Sequence, residues 1–428
     1  MKKIQALRGT KDIVGEEALL WDRIEETART VFEHFGFEPI RIPIMEESAL
    51  FRRSVGEATD IVQKEMYRFK DRSRIDVALR PEGTAGVARC LIEHHLQRAR
   101  PVNKFYYFGP MFRAERPQRG RLRQFHQIGA EIFGSESPYT DVEAMEVLVR
   151  FLEGLGIREG SLEVNTLGTA REREVFAKKL SRYFAGKRPR LCPDCRERLR
   201  RNVLRILDCK NRNCEPLIQN APRIQEALSP ESRAIFDRVR GALDLLKIPY
   251  RWNARIVRGL DYYTHTVYEL IHPALGSQDA LAAGGRYDDL VGRLGGERTP
   301  AAGFALGVER LCLVLEKVGK SARSTSSGEG SVSVIAVGET CQDQAYGILS
   351  GLRGEGLSAR MDFENRSLKA QMRQASRTGS RLCVIVGENE LNKGRVIVKD
   401  MVETSGLDQE EIPVSGAASY VREKLRQR

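Results

Sequence analysis

Two constellations in this 428-residue chain carry side chains whose types and spacing could do chemistry. The first is Cys192-Pro-Asp-Cys195 followed by Cys209-Lys-Asn-Arg-Asn-Cys214, a CxxC and a CxxxxC pair. Four soft sulfur donors arranged in two close pairs suit a tetrahedral zinc site. The same spacing fits four reduced thiols, or a disulfide or redox role, and the spacing alone leaves all three open. The second is the strand-like run Phe125 to Phe133. At a period of two, His126, Ile128, Ala130 and Ile132 share one face, and Gln127, Gly129 and Glu131 share the other. An amide and a carboxylate on either side of a glycine could floor a site for a small polar ligand, or could be a solvated face. Other motifs carry less. Gly319-Lys320-Ser321 would end a phosphate-binding loop whose first glycine falls on Val314, and no helix follows. His94-His95 lacks a helical metal partner, and Cys90, Cys312, Cys341 and Cys383 are scattered as small hydrophobes are.

These residues need elements to hold them. Leu20, Ile24, Ala28, Val31, Phe32 and Phe35 recur at a helical period that ends near Gly36. Phe105 to Arg113 and Phe125 to Phe133 read as two antiparallel strands, joined by the Arg-rich loop AERPQRGRLRQ. The chain's net charge is +12, and residues 171–250 hold 20 basic against 10 acidic residues, a net +10, so the charge is localised. That segment reads as a basic module, mostly helical at Arg171 to Phe184 and Ser232 to Leu246. It is flanked by strand-like Leu162 to Asn165 and Arg251 to Val257, as an insertion into a sheet would be. Gly319 to Ser331 holds nothing more apolar than Ala and reads as a linker. Beyond it, Val332 to Val337, Leu382 to Val386 and Val396 to Val398 alternate with helical patterns, suggesting a small α/β domain. Uncharged runs stop at about ten residues against roughly 18 for a membrane span, and Arg8, Lys11 and Asp12 interrupt any signal-peptide core, so a cytoplasmic protein is expected.

Four stretches taken together go further: Arg80-Pro81-Glu82-Gly83-Thr84, then FGPMFRAERPQRGRLRQFHQIGAEIFG from Phe108, RGLDYYTHTVYEL from Arg258, and GFALGVERL from Gly303. In this order they resemble the histidyl-tRNA synthetases, a family of class II aminoacyl-tRNA synthetases. Phe37 to Tyr67, with Pro43, resembles the dimer-forming first motif; Tyr106 to Phe133 the second; Gly303 to Leu311 the third. RGLDYYT with AAGGRYDDL at 282–290 is the histidine-specific part, and the tail from Arg366 looks like the family's anticodon-binding domain.

The resemblance implies an α+β fold: a class II antiparallel sheet flanked by helices, with a mostly helical insertion and a C-terminal α/β anticodon-binding domain. The expected boundaries are a catalytic domain at 1–169 and 251–318, the insertion at 170–250, the linker at 319–331 and the anticodon-binding domain at 332–428. It implies activation of L-histidine by ATP with Mg²⁺, giving histidyl-adenylate and pyrophosphate, then transfer to the 3′ end of tRNA(His) by a homodimer. Because the carboxylate attacks the α-phosphorus directly, the protein has to position groups and spread charge, which Arg side chains do. By resemblance Arg113 and Arg258 are catalytic and Arg310 holds the γ-phosphate. Glu82, Thr84 and Gln127 lie at the substrate ammonium, Glu131 and Tyr263 at the imidazole, Tyr262 lines the pocket, and Gly83, Arg113 and Arg258 complete the histidine-binding set. Arg116, Arg119, Arg121 and Arg123 fall over ATP and the tRNA acceptor end. The four clustered cysteines depart from the common family pattern and leave a structural Zn²⁺ as one reading. His265 receives no role. A noncatalytic, synthetase-like regulatory subunit of ATP phosphoribosyltransferase is the alternative, disfavoured by the tail and the full set of arginines.

Overall fold

The structure, a computed structural model, describes residues 3–57, 59–257, 260–276, 279–320, 331–401 and 409–426. Two compact units result, residues 1–321 and 322–428. Most of the segment read as a linker lies outside the described residues.

In the first unit, helix α1 (Glu16–His34) buries Leu20, Trp21, Ile24, Ala28 and Phe32, the stripe its periodicity dictates. The sheet beneath it comprises β1 (Glu38–Pro39), β2 (Asn103–Phe112), β3 (Gln124–Phe133), β4 (Ser161–Thr166), β5 (Tyr250–Trp252), β6 (Thr264–Ile271), β7 (Ala280–Arg286) and β8 (Ala301–Gly307). Its order is β1-β2-β3-β8-β7-β6-β4-β5, antiparallel except for the two outermost pairs. Phe32 meets Tyr106 of β2, Phe304 of β8 and Phe151 of α3 (Pro138–Gly154), with ring centroids 5.3, 6.1 and 5.7 Å away. Thus α1 and α3 cover one sheet face. Strand alternation sends Tyr107, Gln127 and Glu131 to the other, where α2 (Thr84–Glu93) approaches.

One polar cluster pins this architecture. Arg286, 2% exposed, donates to Asp141 Oδ1 (2.8 Å), Asp288 Oδ1 (3.1 Å) and the Ser135 and Ser137 carbonyls, while Thr266 donates to the other Asp141 oxygen at 2.6 Å. A buried ion pair with every group satisfied tolerates loss of one partner poorly. Arg286→Met is therefore expected to cost about 3–5 kcal/mol, read as a lower denaturation midpoint with an unchanged slope.

The basic segment leaves and re-enters the sheet through β4 and β5, which pair in parallel with Leu162 opposite Tyr250. The second of these strands is shorter than the sequence pattern suggests. Asn253 accepts the Arg255 N–H on its side chain at 3.0 Å, and this turn ends pairing at Trp252. Between them run α4 (Ala170–Ala185), α5 (Pro193–Arg201) and α6 (Pro230–Leu245). This segment has an apolar core of its own. Phe176, Leu180 and Phe184 of α4 form a buried cluster with Ile206, Leu217 and Ile218 from the short helical turns after α5, and the cluster also contains Cys195 and Cys214.

The second unit is a five-stranded sheet. Its strands are β9 (Val332–Ala336), β10 (Ala359–Met361), β11 (Leu382–Val386), β12 (Arg395–Asp400) and β13 (Gln409–Pro413), in the order β10-β9-β11-β12-β13. Among the described residues no helix is long and apolar enough to cross a membrane.

Candidate active site

On the sheet face opposite α1, a cavity of about 280 Å³ opens between β3, β8, β7 and the start of α2. Its inner end is polar and buried. Glu82, 4% exposed, precedes α2 and accepts the first helical N–H groups, Thr84 N at 2.7 Å and Ala85 N at 3.0 Å, so the carboxylate sits on the helix N-terminus. Thr84 then donates its hydroxyl to Glu131 Oε1 at 2.6 Å. Tyr107 reaches the same oxygen at 3.4 Å, and Tyr287 donates to Glu131 Oε2. Two buried carboxyls are thus bridged by one threonine.

Burial pushes Glu131 up to about 8, against the lowering effect of its hydroxyl donors, and nearby Glu82 adds to the rise. Burial also raises Glu82, although the Ala85 and Thr84 donors oppose it. Burial first, then the Glu131 carboxyl, holds the Tyr107 and Tyr287 phenols well above their ordinary range, so they remain hydrogen-bond donors. A pocket of this kind favours a ligand that brings cationic or N–H groups to both carboxyls. Gln127 extends the same demand: its Oε1 is buried, and among the described residues no donor reaches it.

The outer end is basic. Arg113 donates Nε to the Pro81 carbonyl at 3.0 Å and lies 5.1 Å over the Phe125 ring, which fixes the direction of its fork. Arg310 projects from α7 (Val308–Lys317) into the cavity beside Arg121 and Glu115. Burial, then the like charge of Arg121, lowers the Arg310 pKa from its ordinary value. Two guanidiniums lining one partly dry cavity, near enough to feel each other's charge, form a place for a polyanion.

Most of the residues singled out in the sequence come together here: Glu82, Thr84, Arg113, Gln127, Glu131, Tyr262, Tyr263 and Arg310 all line this cavity. Gly83 does not line it but supports it, since a Cβ there would stand 2.4 Å from the Tyr107 ring. Arg258 lies outside the described residues. Of the loop arginines, Arg121 lines the cavity and pairs with Glu115 at 3.2 Å. Arg123 is turned to the Glu115 carbonyl (3.4 Å) and the amino-terminal segment. Arg116 is exposed, and Arg119 is exposed with Glu316 at 3.7 Å. The glycine floor imagined between Gln127 and Glu131 is in fact covered. Gly129 faces Tyr107 across the β2–β3 pair, and a Cβ would fall 2.2 Å from that ring. Tyr107 and Tyr287 escaped the sequence reading. Their signals were a glycine paired with an aromatic across two strands, and the tyrosine within AAGGRYDDL.

The sulfur atoms of Cys192, Cys195, Cys209 and Cys214 all lie within 4.8 Å of one another, outside this cavity. All eight cysteines are free thiols; Cys341 and Cys383 are buried, while Cys90 and Cys312 are partly exposed.

Comparison with known proteins bears on both units. Residues 9–174 and 199–311 match the family model described as Histidyl-tRNA synthetase, and residues 331–424 match an Anticodon binding domain. The chain is 44% identical to the histidine–tRNA ligase of Natranaerobius thermophilus over 98% of its own length and 99% of the relative's. It is 45% identical to that of Anaeromyxobacter dehalogenans, covering 96% and 97%. The crystal structure of apo S. aureus histidyl-tRNA synthetase superposes with a TM-score of 0.81 at 34% identity, covering 98% of this chain and all of that one.

Proposed function

Because this chain belongs to the histidyl-tRNA synthetase family over its whole length and is an aminoacyl-tRNA synthetase, we propose a division of labour within the cavity. The inner, doubly acidic end takes L-histidine, and the outer, basic end takes ATP. Ligation of histidine to tRNA is the reaction of the relatives throughout their length, anticodon-binding domain included, so the regulatory-subunit reading is not favoured.

The amino acid fits by its charges. Its ammonium finds Glu82, Thr84 and the unsatisfied Gln127 oxygen; its imidazole N–H groups find Glu131 and the Tyr263 side; Tyr262 closes the wall. The observation that carries this reading is the Glu82–Thr84–Glu131 chain, which holds two buried carboxyls close together, each with its pKa raised, where a substrate bringing an ammonium and an imidazole N–H would favour their charged forms. The substrate carboxylate is left pointing toward Arg113, whose fork suits an α-phosphate passing through a five-coordinate state. Arg258 belongs to the same role by resemblance. Arg310 holds the outer phosphates.

Glu115 and Glu309, which both line the cavity, are carboxylates the chain offers a Mg²⁺ carried in on the nucleotide. When bound, that ion would neutralise charge on the departing pyrophosphate. The 3′ end of tRNA(His) would reach the cavity past the Arg116 to Arg123 loop, and the basic 170–250 segment would meet its phosphates. Such contacts weaken with salt.

We further take the protein to act in the cytoplasm as a homodimer. Ile44, Met45, Phe69 and Ile75 are 43–59% exposed on and beside the small sheet of strands Met45–Glu47, Arg68–Lys70 and Asp76–Leu79, an apolar face that a second copy would cover. Pyrophosphate exchange into ATP with each of the twenty amino acids tests the core of the reading. Exchange with histidine alone is expected. No exchange from folded dimer with Mg²⁺, or exchange with another amino acid, would overturn it.

A further inference from the structure

The cysteine cluster lies apart from the cavity and plays no part in the chemistry above. The family match skips residues 175–198, which contain Cys192 and Cys195, so membership of the family does not account for the pair. Four thiols converge from two chain segments: Cys192 precedes α5, Cys195 is in its first turn, and Cys209 and Cys214 flank the next loop. The Cys192 and Cys209 sulfurs are 3.8 Å apart. A tetrahedral centre with metal–sulfur bonds near 2.3 Å has an edge of about 3.8 Å; a disulfide requires about 2.05 Å.

The surroundings suit thiolates. The Cys192 N–H points at Cys214 Sγ (3.3 Å) and the Asn211 N–H at Cys209 Sγ (3.4 Å), the kind of backbone donation that steadies metal-bound sulfur. A tetrathiolate centre carries two negative charges, and the enclosing 171–250 segment carries a net +10. Cys195 and Cys214 are buried in the segment's apolar cluster, which shields the centre.

What the cluster closes is informative. Between its two cysteine pairs runs the stretch 196–208, which presses on the catalytic part of the unit. Arg201 donates to Gln63 Oε1 at 3.0 Å, Arg205 lies 3.6 Å from Asp60, and Asn202 reaches Asp261 Oδ1 at 3.4 Å. Asp261 is adjacent to Tyr262 and Tyr263 of the cavity wall.

We infer that Cys192, Cys195, Cys209 and Cys214 bind one Zn²⁺ as a structural tetrathiolate centre, which pins the 196–208 stretch against the Asp261 turn bordering the histidine pocket. Binding converts the four thiols to thiolates, their protons passing to solvent, with no redox change. The inference holds whether or not the pocket activates histidine.

The full-length, untagged protein, purified from zinc-replete medium without chelator, is expected to contain close to one zinc per chain by elemental analysis. Cobalt added to chelator-treated protein should give the visible bands and near-ultraviolet sulfur-to-metal charge transfer of a tetrahedral thiolate site. Cys209→Ser, at a partly exposed ligand, should lower zinc content at least tenfold. In wild-type protein, zinc removal should speed amide exchange at 196–214 and at 261–263 while leaving α2 unchanged. Zinc below about a tenth of an equivalent with no cobalt charge transfer would overturn the site, as would iron in its place or a disulfide among the four. Loss of zinc with unaltered exchange at 261–263 would overturn the pinning role.

Discussion

Glu131→Ala is expected to lower kcat/KM for histidine in pyrophosphate exchange by about 10²–10³-fold, roughly 3–4 kcal/mol, because a buried substrate N–H loses its acceptor. The KM for ATP should change little, since the basic end is untouched. Removing Glu131 also strips the Thr84, Tyr107 and Tyr287 hydroxyls of their acceptor, so Glu131→Gln serves as the check on fold. It keeps an acceptor of similar shape and should retain the wild-type circular dichroism while still losing histidine selectivity. The raised pKa adds a signature. With Glu131 at about 8 in the free protein, histidine binding at pH 7 should release close to one proton as the acid becomes a carboxylate facing a donor. Calorimetry in buffers of different ionisation enthalpy reads that proton, and the Gln variant should release none. Stability follows the same linkage. The unfolded chain loses this proton near 4.5 and the folded chain near 8, so stability declines as pH rises across that window, and Glu131→Gln should flatten the decline. A variant with wild-type histidine KM and turnover would remove Glu131 from the pocket assignment.

Arg113→Gln should leave a folded protein that still binds histidine and yet exchanges pyrophosphate about 10²–10³-fold more slowly, the usual cost of removing one preorganised charge from a developing anion. Arg113→Lys is expected to recover little of that loss. The wild-type guanidinium is aimed by its bond to the Pro81 carbonyl and by the Phe125 ring, and an ammonium has neither the fork nor the plane to use them. Fluorescence titration with histidine, beside the exchange rate, separates the two effects. A parallel loss of histidine affinity would place Arg113 in amino-acid binding instead.

Much of this site is written in local pattern. The period-two alternation of β3 separates Gln127 and Glu131 from the Ile128 and Ile132 that face the helices, and the cavity confirms the side on which they stand. The four stretches that carry the resemblance are also the ones that converge on it. Tyr107 and Tyr287 were invisible because their significance depends on register. Which tyrosine covers Gly129 is decided by the offset of β2 against β3, and Tyr287 meets Glu131 only because β8 lies between β7 and β3. The apolar cluster of the insertion is only partly legible: α4 shows its period at Phe176, Leu180 and Phe184, but the rest comes from short segments between 191 and 228 that give one to three side chains each, too few to show one.

Glu172, in the first turn of α4, accepts from Thr169 N (2.7 Å), from Ser229 N (2.6 Å) and from the Ser232 hydroxyl (2.8 Å). Burial pulls its pKa upward, but these donors win and hold it at about 2. One carboxylate therefore fastens the point where the chain departs to the point where it returns. Everything from 173 to 228 is an excursion with a common doorway, and its length and content can drift without dragging on β4 or β5. The gap in the family match falls inside this excursion. Selection could rebuild the room behind that doorway and leave the sheet alone, provided that a stretch such as 196–208 still met the Asp261 turn beside the histidine pocket.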